Sequence, residues 1–327
     1  MRTKSRSAVR ALSGLIAMWV VFARLSAAAD LPREVRLTGD PNPAVHYYRA
    51  TTEVVEIAPD GRRKAKDVYD LWVEYTPRPG AAGDLVTCRR FEIAAGGKAR
   101  VALPALDDWS YPLRYGADGL DERGFIFGID QTRFEQLADA SGETLPLGIT
   151  YSVFNAFVDF HAFDQVFARR SSEGGGIQNL QRFGQTVLHA AANKAAPISL
   201  GSMVSKGSRF QNGAITLELK GLSRVGARRC ALIGYDSGES SLEMTLTPAP
   251  QVTIEVKGGS RYAGDLHVDL ETQWLLKATL METVVTETTG ALLPQKVASV
   301  IERRLLLRAL SKSEFDAGRG AKRRSQR

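Results

Sequence analysis

The sequence predicts an α+β fold: a predominantly antiparallel β-sheet, laid out as a curved meander or half-barrel, with two or three helices from the middle of the chain packed on it. Three observations lead there. Short alternating stretches separated by Gly, Pro and Asp turns follow one another over 210–308, and a similar series occupies 43–103. Between them, residues 151–193 carry apolar side chains at helical rather than strand spacing.

The first strand is read at 46–57, rich in Tyr, Thr and Val, and Asp60-Gly61 supplies a hairpin turn to a second strand at 68–75. A Pro, Gly and Ala loop at 77–83 leads to a third strand at 85–93. Gly96-Gly97 then turns into a short fourth at 99–103. Trp109, Tyr111 and Tyr115 lie among Pro and Gly, which suggests a loop packed over a core edge. Thr132 with Glu135 fits a capping box for a short helix that ends at Gly142.

In 151–193, aromatics at 154, 157, 160, 163 and 167 recur at threes and a four, so this helix is expected to be buried on most sides. A strand over 151–161 is the competing reading. After a flexible link at 171–176, the stripe Ile177, Leu180, Phe183, Val187, Leu188 and Ala191 predicts a second helix that has ended by Pro197. Strands follow at 214–220, 230–235, 240–247 and 252–256, with turns at Asp236-Ser237-Gly238 and Gly258-Gly259. A hairpin joins 265–268 to 273–288 around 269–272, and 298–308 forms a last strand or a helix.

The first 29 residues read as a secretory signal peptide. A basic start (Arg2, Lys4, Arg6, Arg10) precedes an apolar run at 12–23 and the small residues Ala27-Ala28-Ala29 before Asp30. The run falls short of the roughly 20 residues of a membrane-spanning helix. Cleavage would leave one large β-rich domain at 30–316, divisible into lobes 30–150 and 151–316, and a basic disordered tail at 317–327. The expected place of work is the periplasm or the exterior, with no integral membrane segment after cleavage.

The formal charge of +7 is carried by the ends. The leader and the last eleven residues each hold five basic residues and no acid. Removing those ten from 43 leaves 33 basic against 36 acidic residues. That balance argues against a nucleic-acid partner, which calls for positive charge on the folded domain. The two cysteines, Cys88 and Cys230, form either one disulfide, as an oxidising compartment favours, or two buried thiols.

Asp265, His267 and Asp269, with Glu271, alternate along one strand face while Leu266, Val268 and Leu270 face the other. Such a row is either a metal site or the wet face of a half-buried strand. Asp159, His161 and Asp164 form a second group: a buried histidine bonded to an acid, or a general acid–base pair. His46 and His189 have no evident partners. Tyr235-Asp236-Ser237-Gly238 is turn chemistry rather than a nucleophile elbow, and Gly174-Gly175-Gly176 lacks the lysine of a phosphate loop. No cofactor is implied.

The leader, the meander and the hairpin running from Gly264 through His267, Asp269 and Trp274 to Thr279 resemble exported bacterial lipoprotein-carrier half-barrels of the LolA/LolB-like group. The resemblance covers 205–308 and the helices before it. It implies a long curved antiparallel sheet with helices in its open side, and no functional residue is carried over. The leading expectation is an exported, non-enzymatic binding protein with an apolar or lipid ligand, lined by Leu266, Val268, Trp274 and Leu276. An envelope interaction protein without a small ligand, with the basic tail on a polyanionic surface, and a metal-assisted hydrolase using Asp265, His267 and Asp269 are the alternatives.

Overall fold

The computed structural model describes residues 34–38, 42–78, 83–114, 121–122, 125–164, 174–198, 204, 207–249, 251–291 and 293–320. The expected signal peptide, Tyr115, Phe167, the link at 171–173 and residues 321–327 of the tail lie outside the described residues. The chain divides into two units, Met1–Val35 and Arg36–Arg327. Only residues 34 and 35 of the first are described, and every named strand and helix belongs to the second.

The chain begins with β1 (His46–Ile57), β2 (Asp67–Thr76), β3 (Asp84–Ala94), β4 (Val101–Ala102) and β5 (Trp109–Leu113). Helix α1 (Leu147–Asp164) precedes the short strands β6 (Thr186–Leu188), β7 (Ala195–Pro197) and β8 (Arg209–Gln211). Then come β9 (Thr216–Val225), β10 (Arg228–Asp236), β11 (Ser241–Ala249), β12 (Val252–Asp269), β13 (Leu275–Gly290), β14 (Val297–Leu310) and helix α2 (Lys312–Gly320). All these strands belong to one antiparallel sheet that does not close, in the order β4-β3-β2-β1-β14-β13-β12-β10-β9-β6. β5 pairs with β3, β11 joins β12 to β8, and β7 pairs with β8. β1 runs against β14 from Tyr47↔Leu310 to Ile57↔Val300, so the first strands are continuous with the last in one sheet.

Helix α1 lies on one face of this sheet. From Ile149 to Phe163 no residue is exposed, in keeping with the aromatic spacing. Phe157 packs on Phe91 of β3 and Trp109 of β5, Phe160 on Tyr48 of β1, and Phe163 on Tyr235 of β10 and Tyr262 of β12. The opposite face is covered locally by α2, whose Phe315 is buried against Tyr47 and Trp72.

Several local expectations are corrected. Residues 177–193 are not a helix. They form a 3-10 turn at Ile177–Asn179, a turn at Gly184 and strand β6. Gly184 has φ +80°, and Thr186–Leu188 pairs with β9 instead of closing helical bonds. The apolar stripe is split accordingly, with Ile177 and Leu180 fully buried and Leu188 exposed. The helix expected from Thr132 is only a 3-10 turn, Gln131–Phe134, and its cap is Asp130, which accepts from Thr132 N at 3.0 Å. Trp109 and Tyr111 lie in β5, not in a loop. Residues 317–320 belong to α2, which Ser311 and Glu314 cap reciprocally: Ser311 N donates to Glu314 Oε2 at 2.8 Å, and Glu314 N donates to Ser311 Oγ at 3.2 Å.

Gly258-Gly259 is not a turn but the middle of the 18-residue strand β12. On one edge of β12, β11 pairs up to Gly258 and β10 takes over from Ala263, while β13 runs along the other edge. At the handover the glycines permit close backbone approach: a Cβ on Gly259 would meet Ser240 O at 2.2 Å, and one on Gly264 would meet Thr279 O at 2.1 Å. Gly264→Ala is therefore expected to cost about 1–3 kcal/mol in urea unfolding, as overpacking does. Gly226→Ala at the β9–β10 turn, where a Cβ would meet no atom within 4 Å but φ is +59°, should cost less.

Candidate binding site

The predicted metal ligands do not converge. Asp265 pairs with Lys220 of β9 at 2.8 Å, His267 Nδ1 lies 2.8 Å from Ser223 Oγ, and Asp269 accepts from Arg228 and from Thr272 N at 2.9 Å. Each side chain of the row thus has its own partner from the neighbouring hairpin or turn. Among the described residues no three acid, histidine or cysteine side chains form a cluster suited to a metal ion. Cys88 on β3 and Cys230 on β10 are separate buried thiols, with β2, β1, β14, β13 and β12 between their strands in the sheet order.

Three of the four expected ligand-lining residues are packed. Leu266 and Val268 are fully buried, and the Trp274 ring lies 4.0 Å from that of His46 and 5.1 Å from that of Tyr75. Leu276 is half-buried, and Leu275 takes the buried place opposite Val268. The register of β12 and β13 shifts at that point, and a one-residue slip exchanges the faces.

The same face continues beyond these residues. On β12 the even-numbered positions share the face of Leu266, and Tyr262, which meets Asp159 and Phe163 of α1, identifies it as the helix side. Towards the start of β12 this inner face carries Ser260, Gly258, Val256 and Ile254, all half-exposed, while Glu255 and Lys257 point outward and are exposed. Across the sheet the register adds Val284 and Ile301 beside Ser260, and Met244 beside Val256, again half-exposed.

Where the open stretch meets the helix lies a charged group that periodicity alone does not reveal. Tyr262, Glu282 and Arg303 stand side by side on β12, β13 and β14, and Asp159 reaches them from α1. Arg303 donates to Asp159 Oδ2 and Glu282 Oε2, each at 2.5 Å, and also to Tyr262 Oη. Tyr262 Oη donates to Asp159 Oδ1 at 2.8 Å. Only 12% of the Arg303 side chain, 10% of Asp159 and 5% of Glu282 is exposed. Burial, reinforced by Glu282, outweighs the attraction of Arg303 and raises the Asp159 pKa. Asp70 on β2 is the contrast. Burial would raise it too, but Arg49 at 2.7 Å and Arg100 at 2.5 Å hold it below the usual carboxylate range. The difference is the charge count: two guanidinium groups serve Asp70, while Asp159 and Glu282 share one.

His161, the partner expected for Asp159 or Asp164, bonds to neither among the described contacts. Its Nε2 lies 2.6 Å from Tyr111 Oη, its Nδ1 has no hydrogen-bond partner among the described residues, and the side chain of Asp164 is not described. Burial lowers the His161 pKa to about 3, and lowers His46 and His189 to about 4. These are neutral structural histidines. Stability from a depressed histidine is present above pH 6.5 and lost below it. His161 alone is expected to weaken the folding equilibrium by about tenfold per pH unit between 6.5 and its folded value. His161→Phe should flatten the acid limb of an unfolding-versus-pH curve by that slope.

No protein-family model matches the chain, and a search of the curated proteins finds no match.

Proposed function

We propose that the protein is an exported binding protein that holds a ligand with an apolar chain on the inner face of β11 to β14, within a sheet bent into an open half-barrel. The observation that carries this reading is the half-exposed apolar row of Met244, Ile254, Val256, Val284 and Ile301, on the same sheet face as the core under α1 and parted from it by the Tyr262, Glu282 and Arg303 group. A face that is half-exposed, apolar and lined with small residues such as Gly258 and Ser260 suits a chain laid along it.

The contacts of α1 support the bend. Phe157 and Phe163 are six residues apart, about 9 Å of helix. They reach β3 and β10, which a flat sheet would place about 29 Å apart at about 4.8 Å per strand. A sheet curved around the helix brings both within reach. The leader at 1–29 supports export and an oxidising surrounding.

The test is titration with a fluorescent apolar probe such as N-phenyl-1-naphthylamine. Val256→Lys places an ammonium group on the inner face and should weaken probe binding at least tenfold, about 1.4 kcal/mol, with an unchanged unfolding midpoint. Thr253→Lys, exposed on the outer face of the same strand, should leave it unchanged. Equal binding by both variants would contradict this location.

A further inference from the structure

We propose that the Asp159, Glu282, Tyr262 and Arg303 group is a proton-operated latch: it holds a proton on Asp159, and losing that proton loosens helix α1 from the sheet.

The group sits in a nearly dry place and holds more acid than base. Two carboxylates face one guanidinium, so the fully ionised group carries one uncompensated negative charge. The other titratable groups near it are phenols: Tyr262 on β12, Tyr235 on β10, Tyr69 on β2 and Tyr151 on α1 itself. Burial raises all four above their ordinary value, so they stay neutral and offer no compensating charge. Tyr262 stands between the two acids. Its hydroxyl bonds to Asp159 and also interacts with Glu282. With Asp159 protonated, the acid donates to Tyr262 Oη and the phenol proton turns to Glu282. On deprotonation the proton leaves to solvent and Tyr262 donates to Asp159.

Asp159 is the member of the group contributed by α1, so opening of the helix takes it into water, where it ionises with an ordinary pKa. The sign follows. A raised folded pKa gives stability that is complete below the unfolded value and lost as pH rises through the folded one. Between those two values each pH unit favours the opened helix about tenfold. Phe163, one turn further along α1, packs on Tyr262 and Tyr235, so the helix end that loosens borders the half-exposed inner face.

The test is amide hydrogen exchange of the full chain from pH 5 to 8, corrected for intrinsic rates. Relative to Asp159→Asn, protection of residues 147–164 in the wild type should fall with pH. Asp159→Asn, which is permanently neutral and keeps one oxygen for Arg303, should show only the rise in protection up to about pH 6.5 that buried His161 imposes on α1. Glu282→Gln, which leaves one acid to one guanidinium, should follow the slope of Asp159→Asn. If the wild type and both variants share one slope, the latch is refuted. The buried histidines drive stability the opposite way with pH, but they contribute the same slope to all three proteins and cancel in the comparison.

Discussion

Arg303→Ala is expected to destabilise the protein by about 3–5 kcal/mol, the usual cost of removing one partner from a buried ionic group. Arg303 holds both Asp159 and Glu282 at 2.5 Å, and neither acid has another basic partner in the described structure. Without the guanidinium, two nearly buried carboxylates face each other across Tyr262. Each must take up a proton or drag water inward. The fall in Tm should be on the order of 10 °C for a chain of this size. A combined variant separates charge from packing. Arg303→Met with Asp159→Asn and Glu282→Gln removes every charge at similar volume, and should recover most of the loss, because a neutral well-packed substitute for a buried ion group is often harmless. A loss below about 1 kcal/mol for Arg303→Ala would mean that the group is more hydrated than its exposure indicates.

Phe157→Ala is expected to cost a similar amount, about 3–5 kcal/mol, through a different mechanism. Phe157 is fully buried, and its ring is surrounded by Phe91, Trp109, Tyr111 and Phe134 at centroid distances of 5.5–6.3 Å. Those neighbours belong to β3, β5 and the turn before α1. The cavity left by truncation is walled by side chains held in the sheet ladder, which limits collapse. Phe157→Leu keeps most of the volume and should cost clearly less. Urea unfolding of both variants checks the order. Equal losses would show that the aromatic contacts, rather than the volume, dominate.

The parts of the fold legible in the sequence are those governed by local pattern. β1 spans His46–Ile57 as its alternation indicates, because that pattern and Asp60-Gly61 act within one hairpin. Helix α1 is legible from aromatics three residues apart, a spacing that no single strand face provides. The misread parts are decided by partners distant in the chain. Residues 177–193 have a helical stripe, yet Gly184 takes a left-handed conformation and β9 offers Thr186–Leu188 a ladder. Gly258-Gly259 has the composition of a turn, but the close approach of Ser240 and Val285 is the reason for glycine there.

The same division applies to the site. Asp159 stands out in the chain beside His161, but its partner is Arg303, a separation of 144 residues. Tyr262, Glu282 and Arg303 meet only because three strands are paired in one register, and none of the three is unusual in its own segment. A polar residue at each inward position of the three strands is the available signal, and reading it requires the register. The Asp265, His267 and Asp269 row shows the reverse. It satisfies the one-strand pattern for ligands, yet Lys220, Ser223 and Arg228 give each a separate partner.

The most direct test of the binding account is native mass spectrometry of the chain expressed with its leader and purified without refolding, repeated under denaturing conditions. The expected result is an added mass in the native spectrum that is lost on denaturation and recovered in an organic extract. A native mass equal to that of the bare chain, with no uptake of an added apolar compound, would contradict it.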